Sequence, residues 1–153
     1  MVSYRGQPAA PLAADGEALA RILGRSSVGR QHTIWVTGPA GLTALIWLNQ
    51  HGYGRASYAH LERVGVMVPA DALLVPHACD PATVADLLRD ATCLREGGVL
   101  IAQVSGGISA DSLRDVPALI EPLGYRLEYR VHEKGRTICV ARRRGGPHLS
   151  VAA

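Results

Sequence analysis

Strands and helices alternate along most of this 153-residue chain. The pattern predicts a three-layer Rossmann-like α/β sandwich, with a mainly parallel sheet and a C-terminal antiparallel hairpin. Two observations carry that prediction. Short apolar runs at Thr33–Thr37, Ala72–Val75 and Val99–Val104 are each bounded by glycine, proline or a capping residue, with helical spacing between them. The runs Tyr125–Val131 and Thr137–Arg142 alternate in polarity on either side of a short glycine-containing connection, which is a hairpin signal.

Residues 1–30 read as a lead-in followed by a helix. Gly6, Pro8 and Pro11 break the first stretch, and Leu19, Ile22 and Leu23 then recur at helical spacing behind Asp15, a natural N-cap. Residues 31–144 form the α/β domain, and residues 145–153 read as a flexible tail. Within the domain, Thr33–Thr37 is β-branched and aromatic and stops at Gly38-Pro39-Ala40-Gly41. Leu42–Gln50 follows, apolar almost throughout, and such a helix is expected to be buried all round. Arg55–Leu61 offers a weaker strand.

Ala72–Val75 is bounded by Pro76, and Asp80-Pro81 opens the next helix with a cap and a first-position proline. That helix is expected to run to about Arg95 and to stop at Gly97-Gly98. A further helix is centred on Leu113–Leu123, with Pro117 in its first turn or kinking it, and Gly124 closes it.

Composition narrows the function. Hydrophobic residues make up 48% and charged residues 19%, a globular balance that excludes a disordered chain. With no Phe at all, the core must be built from Val, Leu, Ile and Ala. Cys79, Cys93 and Cys139 are odd in number and form no CxxC pair, which argues against a disulfide framework and a structural zinc. The first residues lack the apolar stretch of a secretory signal, and no apolar run reaches membrane-spanning length, so the expected compartment is cytoplasmic.

The net charge is +3, and removing Arg142, Arg143 and Arg144 would bring the remainder to neutrality. That run enters a Gly-Gly-Pro tail and reads as a solvated terminus, not as the basic stripe of a nucleic-acid binder.

In an open parallel sheet, ligands bind at the C-terminal ends of the strands, near the point where strand order reverses. Gly38-Pro39-Ala40-Gly41 occupies that place after the first strand. A glycine there lets the backbone approach a ligand, and the helix start behind it offers amide donors. The turn lacks the third glycine of a dinucleotide fingerprint, and a tight strand-to-helix turn without a ligand accounts for the same residues. A nucleotide site of this kind also wants a carboxylate at the end of the second strand. His60 stands nearest that place and Glu62 is the carboxylate within reach, while a solvent-facing Glu in a loop is the competing reading.

His77, Cys79 and Asp80 follow the Ala72–Val75 strand on the same rim. His77 is a candidate general base, Cys79 a candidate nucleophile, and Asp80 the cap of the next helix. No second His or Cys stands at ligand spacing to make a metal site.

Several of these segments resemble one family. Asp71-Ala72-Leu73-Leu74-Val75-Pro76-His77, then Val84–Leu94, then Arg95-Glu96-Gly97-Gly98-Val99-Leu100-Ile101 resembles the later strands of class I S-adenosylmethionine-dependent methyltransferases. Leu119-Ile120-Glu121-Pro122-Leu123-Gly124-Tyr125 before the hairpin is similar to the end of that family. The resemblance covers Thr33 to Arg144 and implies a final antiparallel strand in the sheet.

It also implies S-adenosylmethionine or a related adenosine ligand, with Gly38, Ala40 and Gly41 against its methionine part. Glu62 or His60 would then take the ribose, and His77 would face a methyl acceptor. The sequence departs from the family at Trp35, where an acidic residue is usual, and at Arg63–Pro69, which is too short for the usual helix and strand.

Gly38-Pro39-Ala40-Gly41-Leu42 is also similar to a turn of medium-chain nicotinamide-dependent dehydrogenases, which would imply a dinucleotide-binding domain. The third reading is a degenerate domain without turnover, kept as a binding or scaffolding module. Val64, Val66 and Val68 would then suit contact with a protein partner or a second copy of the chain, and they equally suit a short edge strand folded into the core.

Overall fold

A computed structural model describes residues 10–59, 69–90, 94–104 and 116–144. Three helices, α1 (Gly16–Arg25), α2 (Gly41–Gln50) and α3 (Pro81–Asp90), accompany six strands. These are β1 (Ile34–Val36), β2 (Ala56–Tyr58), β3 (Ala70–Cys79), β4 (Leu94–Val104), β5 (Tyr125–Glu133) and β6 (Arg136–Arg143). They form one sheet in the order β2-β1-β3-β4-β6-β5. The first four are parallel, and β6 inserts antiparallel between β4 and β5. The expected mainly parallel sheet with a C-terminal hairpin is therefore present. The hairpin is longer than its alternating runs suggested, and it turns at Lys134-Gly135, both with positive φ.

Side chains alternate across this sheet, so each strand feeds two cores. On one face, Leu19, Ile22 and Leu23 of α1 and Ala44 and Leu48 of α2 pack on Ile34, Val36, Leu74, Ile101 and Val140. On the other, Val84 and Leu88 of α3 join Val116 and Ile120 over Leu73, Val75, Leu100 and Cys139. Burial pushes the Cys139 thiol up to about 11, so it is a neutral core residue. Asp15 caps α1 by accepting from the Ala18 amide at 3.1 Å, and Asp80 caps α3 by accepting from Thr83 at 2.7 Å. Residues 116–120 are helical, and Gly124 ends the turn that follows with φ 91°. The rest of the helix expected over Leu113–Leu123, and residues 1–9 and 145–153, lie outside the described residues.

Four local expectations are corrected. The α2 helix is not buried all round: Gly41, Ala44 and Leu48 face the sheet, while Leu42 and Ile46 are 61% and 58% exposed. A helix of ten residues, about three turns, lays only one stripe on a sheet, whatever the composition of the other side. Second, β3 does not stop before Pro76 but continues through it to Cys79. The β3–β4 ladder shifts between Val75 and Cys79, and a proline is tolerated in a strand where pairing is irregular.

Third, α3 ends at Asp90, and Leu94 already begins β4 opposite Ala70. Leu94 is fully buried, and the ladder resumes at Ala72–Val99, so Arg95–Gly98 bulge out of a strand and do not close a helix. Finally, the arginine run is not a solvated terminus. Arg142 pairs with Glu128 at 3.0 Å and donates to the Gly97 carbonyl at 2.7 Å, while Arg143 donates to the Leu94 carbonyl. These side chains fasten the β4 bulge to β6, at the end of the sheet opposite the C-terminal rim.

Candidate functional site

The strand order places the reversal at β1, whose neighbours are β2 on one side and β3 on the other. In sheets of this type the ligand crevice lies there, beyond the C-terminal ends of β1 and β3. Its walls are fixed by backbone hydrogen bonds: Thr37 N–H donates to Leu74 at 3.1 Å, and Ala59 N–H donates to Val36 at 2.8 Å. The chain leaves β1 through Gly38-Pro39-Ala40-Gly41 and enters α2 directly, with Gly41 N–H donating to the Gly38 carbonyl at 3.0 Å. Among the described residues, no side chain caps α2, and its first turn holds no acidic group. Its leading amides therefore point into the crevice with the positive end of the helix dipole behind them.

Gly38, Ala40 and Gly41, singled out from sequence, thus form one turn at the switch point. The two glycines are required for a physical reason. Gly38 has φ 95°, and a methyl built on it would overlap Cε1 and Nδ1 of His77. One built on Gly41 would come within 2.7 Å of Tyr58 Cε2. Two rings thus lie where side chains at 38 and 41 would stand. The His77 ring comes from the end of β3, and the Tyr58 ring comes from the end of β2 and donates its hydroxyl to the Gly38 carbonyl at 3.1 Å.

His77 lies directly against the turn, partly buried. Its Nδ1 is buried and has no hydrogen-bond partner among the described residues. Burial holds this imidazole below its ordinary pKa, so it is neutral at pH 7 and able to accept a proton. Asp80, at the same rim, is held below the usual carboxylate range by the Thr83 hydrogen bonds, as a capping group should be. His60 and Glu62 lie outside the described residues, as does the expectation for the Cys79 thiol.

Tyr58 was not anticipated as part of the site. The sequence points to His60 and Glu62 for the ribose, whereas Tyr58 is the last residue of β2 and pairs with Val36. An aromatic closing the strand beside a glycine turn was the available signal.

A second polar cluster sits further along the rim, on the α1 side. Gln103 of β4 accepts from Leu12 N–H at 2.6 Å. Arg136, at the start of β6, donates to the Ala10 carbonyl at 3.2 Å and is ion-paired with Asp15. These contacts tie residues 10–15 to the ends of β4 and β6. Among the described residues, no helix is long and apolar enough to cross a membrane.

The architecture is that of class I S-adenosylmethionine-dependent methyltransferases. A methyltransferase from Pyrococcus furiosus superposes with a TM-score of 0.58 over 94% of this chain and 89% of its own, at 11% identity. For a ribosomal protein L11 methylase from Lactobacillus delbrueckii subsp. bulgaricus the TM-score is 0.57 over 88% and 77%, at 12% identity. Phosphoethanolamine N-methyltransferase 2 of Haemonchus contortus, solved with S-adenosyl-L-methionine, gives 0.60 at 14% identity. This chain spans only 39% of that enzyme's length. No protein-family model and no curated protein matches the sequence. At such identities the likeness defines the fold.

Proposed function

We propose that this chain binds S-adenosylmethionine, or a closely related adenosine ligand, in the crevice at Gly38–Gly41. The observation that carries the proposal is the placement of an uncapped helix start and two side-chain-free residues at the switch point of a methyltransferase-type sheet. Such a backbone fits the ligand: the amides of α2 suit its carboxylate, and the glycines permit close approach. Gly38, Ala40 and Gly41 take the methionine part, and Glu62 or His60, next in the chain after β2, takes the ribose hydroxyls. The antiparallel β6 between β4 and β5 supports this reading over a nicotinamide-dinucleotide site.

When bound, S-adenosylmethionine supplies an electrophilic methyl group on a sulfonium sulfur. The contribution of this chain to transfer would come from His77, whose neutral imidazole takes the acceptor's proton as the acceptor is methylated. A module that binds without turnover is the second reading. It is favoured by the two rings that already fill the turn, because they complete the packing there without a ligand.

Calorimetric titration with S-adenosylmethionine, and separately with S-adenosylhomocysteine, tests the proposal. Saturable binding near one equivalent is expected, and it should be lost in Gly41→Val, whose side chain would enter the space of Tyr58. Absence of heat at about millimolar concentrations would exclude binding stronger than roughly −4 kcal/mol and would overturn it.

A further inference from the structure

The glycine turn is the place where a ligand of the proposed kind must come closest to the backbone, and it is already filled from within. The His77 ring packs on Gly38 so closely that not even a methyl group fits between them. It does so at the expense of its own Nδ1, which is buried with no partner among the described residues. Buried polar atoms are normally paired, and one left unpaired marks an arrangement that something else can displace at little loss. The ring stands near the C-terminal end of β3, where the register of the β3–β4 ladder shifts between Val75 and Cys79. On the other side of the turn Tyr58 is held differently, by its hydrogen bond to the Gly38 carbonyl.

We infer that His77 is a displaceable plug of the Gly38–Gly41 cradle, a residue that sets the affinity of the site by occupying it until an adenosine ligand pushes the ring out. The inference rests on the binding reading above and deepens it. The closed arrangement competes with the ligand, so apparent affinity is reduced by the fraction of molecules in which the cradle is open. It also separates His77 from Tyr58. Removing the plug strengthens binding, whereas removing the tyrosine hydroxyl takes away one of the two hydrogen bonds to the Gly38 carbonyl and loosens the turn itself.

The test is titration of the wild type, His77→Ala and Tyr58→Phe with S-adenosylhomocysteine, with circular dichroism to confirm that each variant is folded. Binding by His77→Ala at least about tenfold tighter than by the wild type is expected, as it would be if the open cradle is populated at about 10% or less. Equal or weaker binding by His77→Ala overturns the plug while leaving the binding reading intact, and no binding by either protein overturns both.

The wild type provides a second measurement that does not depend on a variant folding. The nuclear Overhauser contact between the His77 ring proton on Cε1 and the Gly38 α-protons should vanish at saturation with S-adenosylhomocysteine. Its persistence in a saturated sample would overturn the inference.

Discussion

Replacing Asp15 with alanine should destabilise the chain by about 3–5 kcal/mol, the usual cost of leaving a buried charge without its partner. The stranded group is Arg136, whose side chain is 2% exposed and whose ion-pair partner is Asp15. The same carboxylate caps α1 through the Ala18 amide and accepts from Lys134 Nζ at 3.0 Å. At about 2–4 °C per kcal/mol for a chain of this size, Tm should fall by roughly 10 °C. Asn at this position keeps the cap, worth ~1 kcal/mol, and loses only the charge, so Asp15→Asn should lie between the wild type and Asp15→Ala.

A pH dependence accompanies it. The Ala18 amide first, then Lys134 and Arg136, hold the Asp15 carboxyl well below the usual carboxylate range. A carboxyl depressed by folding contributes stability that is complete above its unfolded pKa of about 3.9 and drains away as pH falls from there. Thermal melts between neutral and strongly acid pH should show that loss in the wild type, and a shallower acid limb in Asp15→Asn. Identical acid limbs would remove Asp15 from the account.

Gly38→Ala carries the second large effect. An alanine at φ 95° is strained by about 1–2 kcal/mol. Its methyl must also displace the His77 ring, an overpacking of about 1–3 kcal/mol. Together they should cost about 3 kcal/mol by denaturant unfolding, and ligand binding should disappear with the close approach that glycine permits. In a His77→Ala background only the backbone strain remains, so the cost should fall to about 1–2 kcal/mol. If Gly38→Ala costs the same in both backgrounds, the ring is not against the turn.

Much of the fold was legible because its punctuation is local. Asp15 and Asp80 announce helix starts, Gly124 announces a stop, and the Lys134-Gly135 turn divides two alternating runs. Where reading failed, the deciding interaction lay elsewhere in the chain. The ending of β3 at Pro76 and of α3 near Gly97 follow local rules, yet pairing of Ala70 with Leu94 and of Cys79 with Val104 overrides both. The apolar run of α2 misleads because composition says nothing of which stripe meets the sheet, and here Leu42 and Ile46 do not.

The candidate site divides in the same way. Gly38, Ala40 and Gly41 stand out in the sequence as a turn between a strand and a helix. That His77 and Tyr58 meet on either side of it does not. Their meeting depends on the register in which Val36 faces Tyr58 in one neighbour and Leu74 in the other, and no local pattern carries that information.

The central claim is that an adenosine ligand binds at this turn, and the amide resonances of the turn report on it directly. In nitrogen-15-labelled protein titrated with S-adenosylhomocysteine, the amides of Gly38 and Gly41 should shift saturably. Those of Thr33 and Asp71, at the opposite end of β1 and β3, should stay in place. Unmoved resonances at Gly38 and Gly41 in the presence of excess ligand, or shifts confined to other parts of the sheet, would contradict the account.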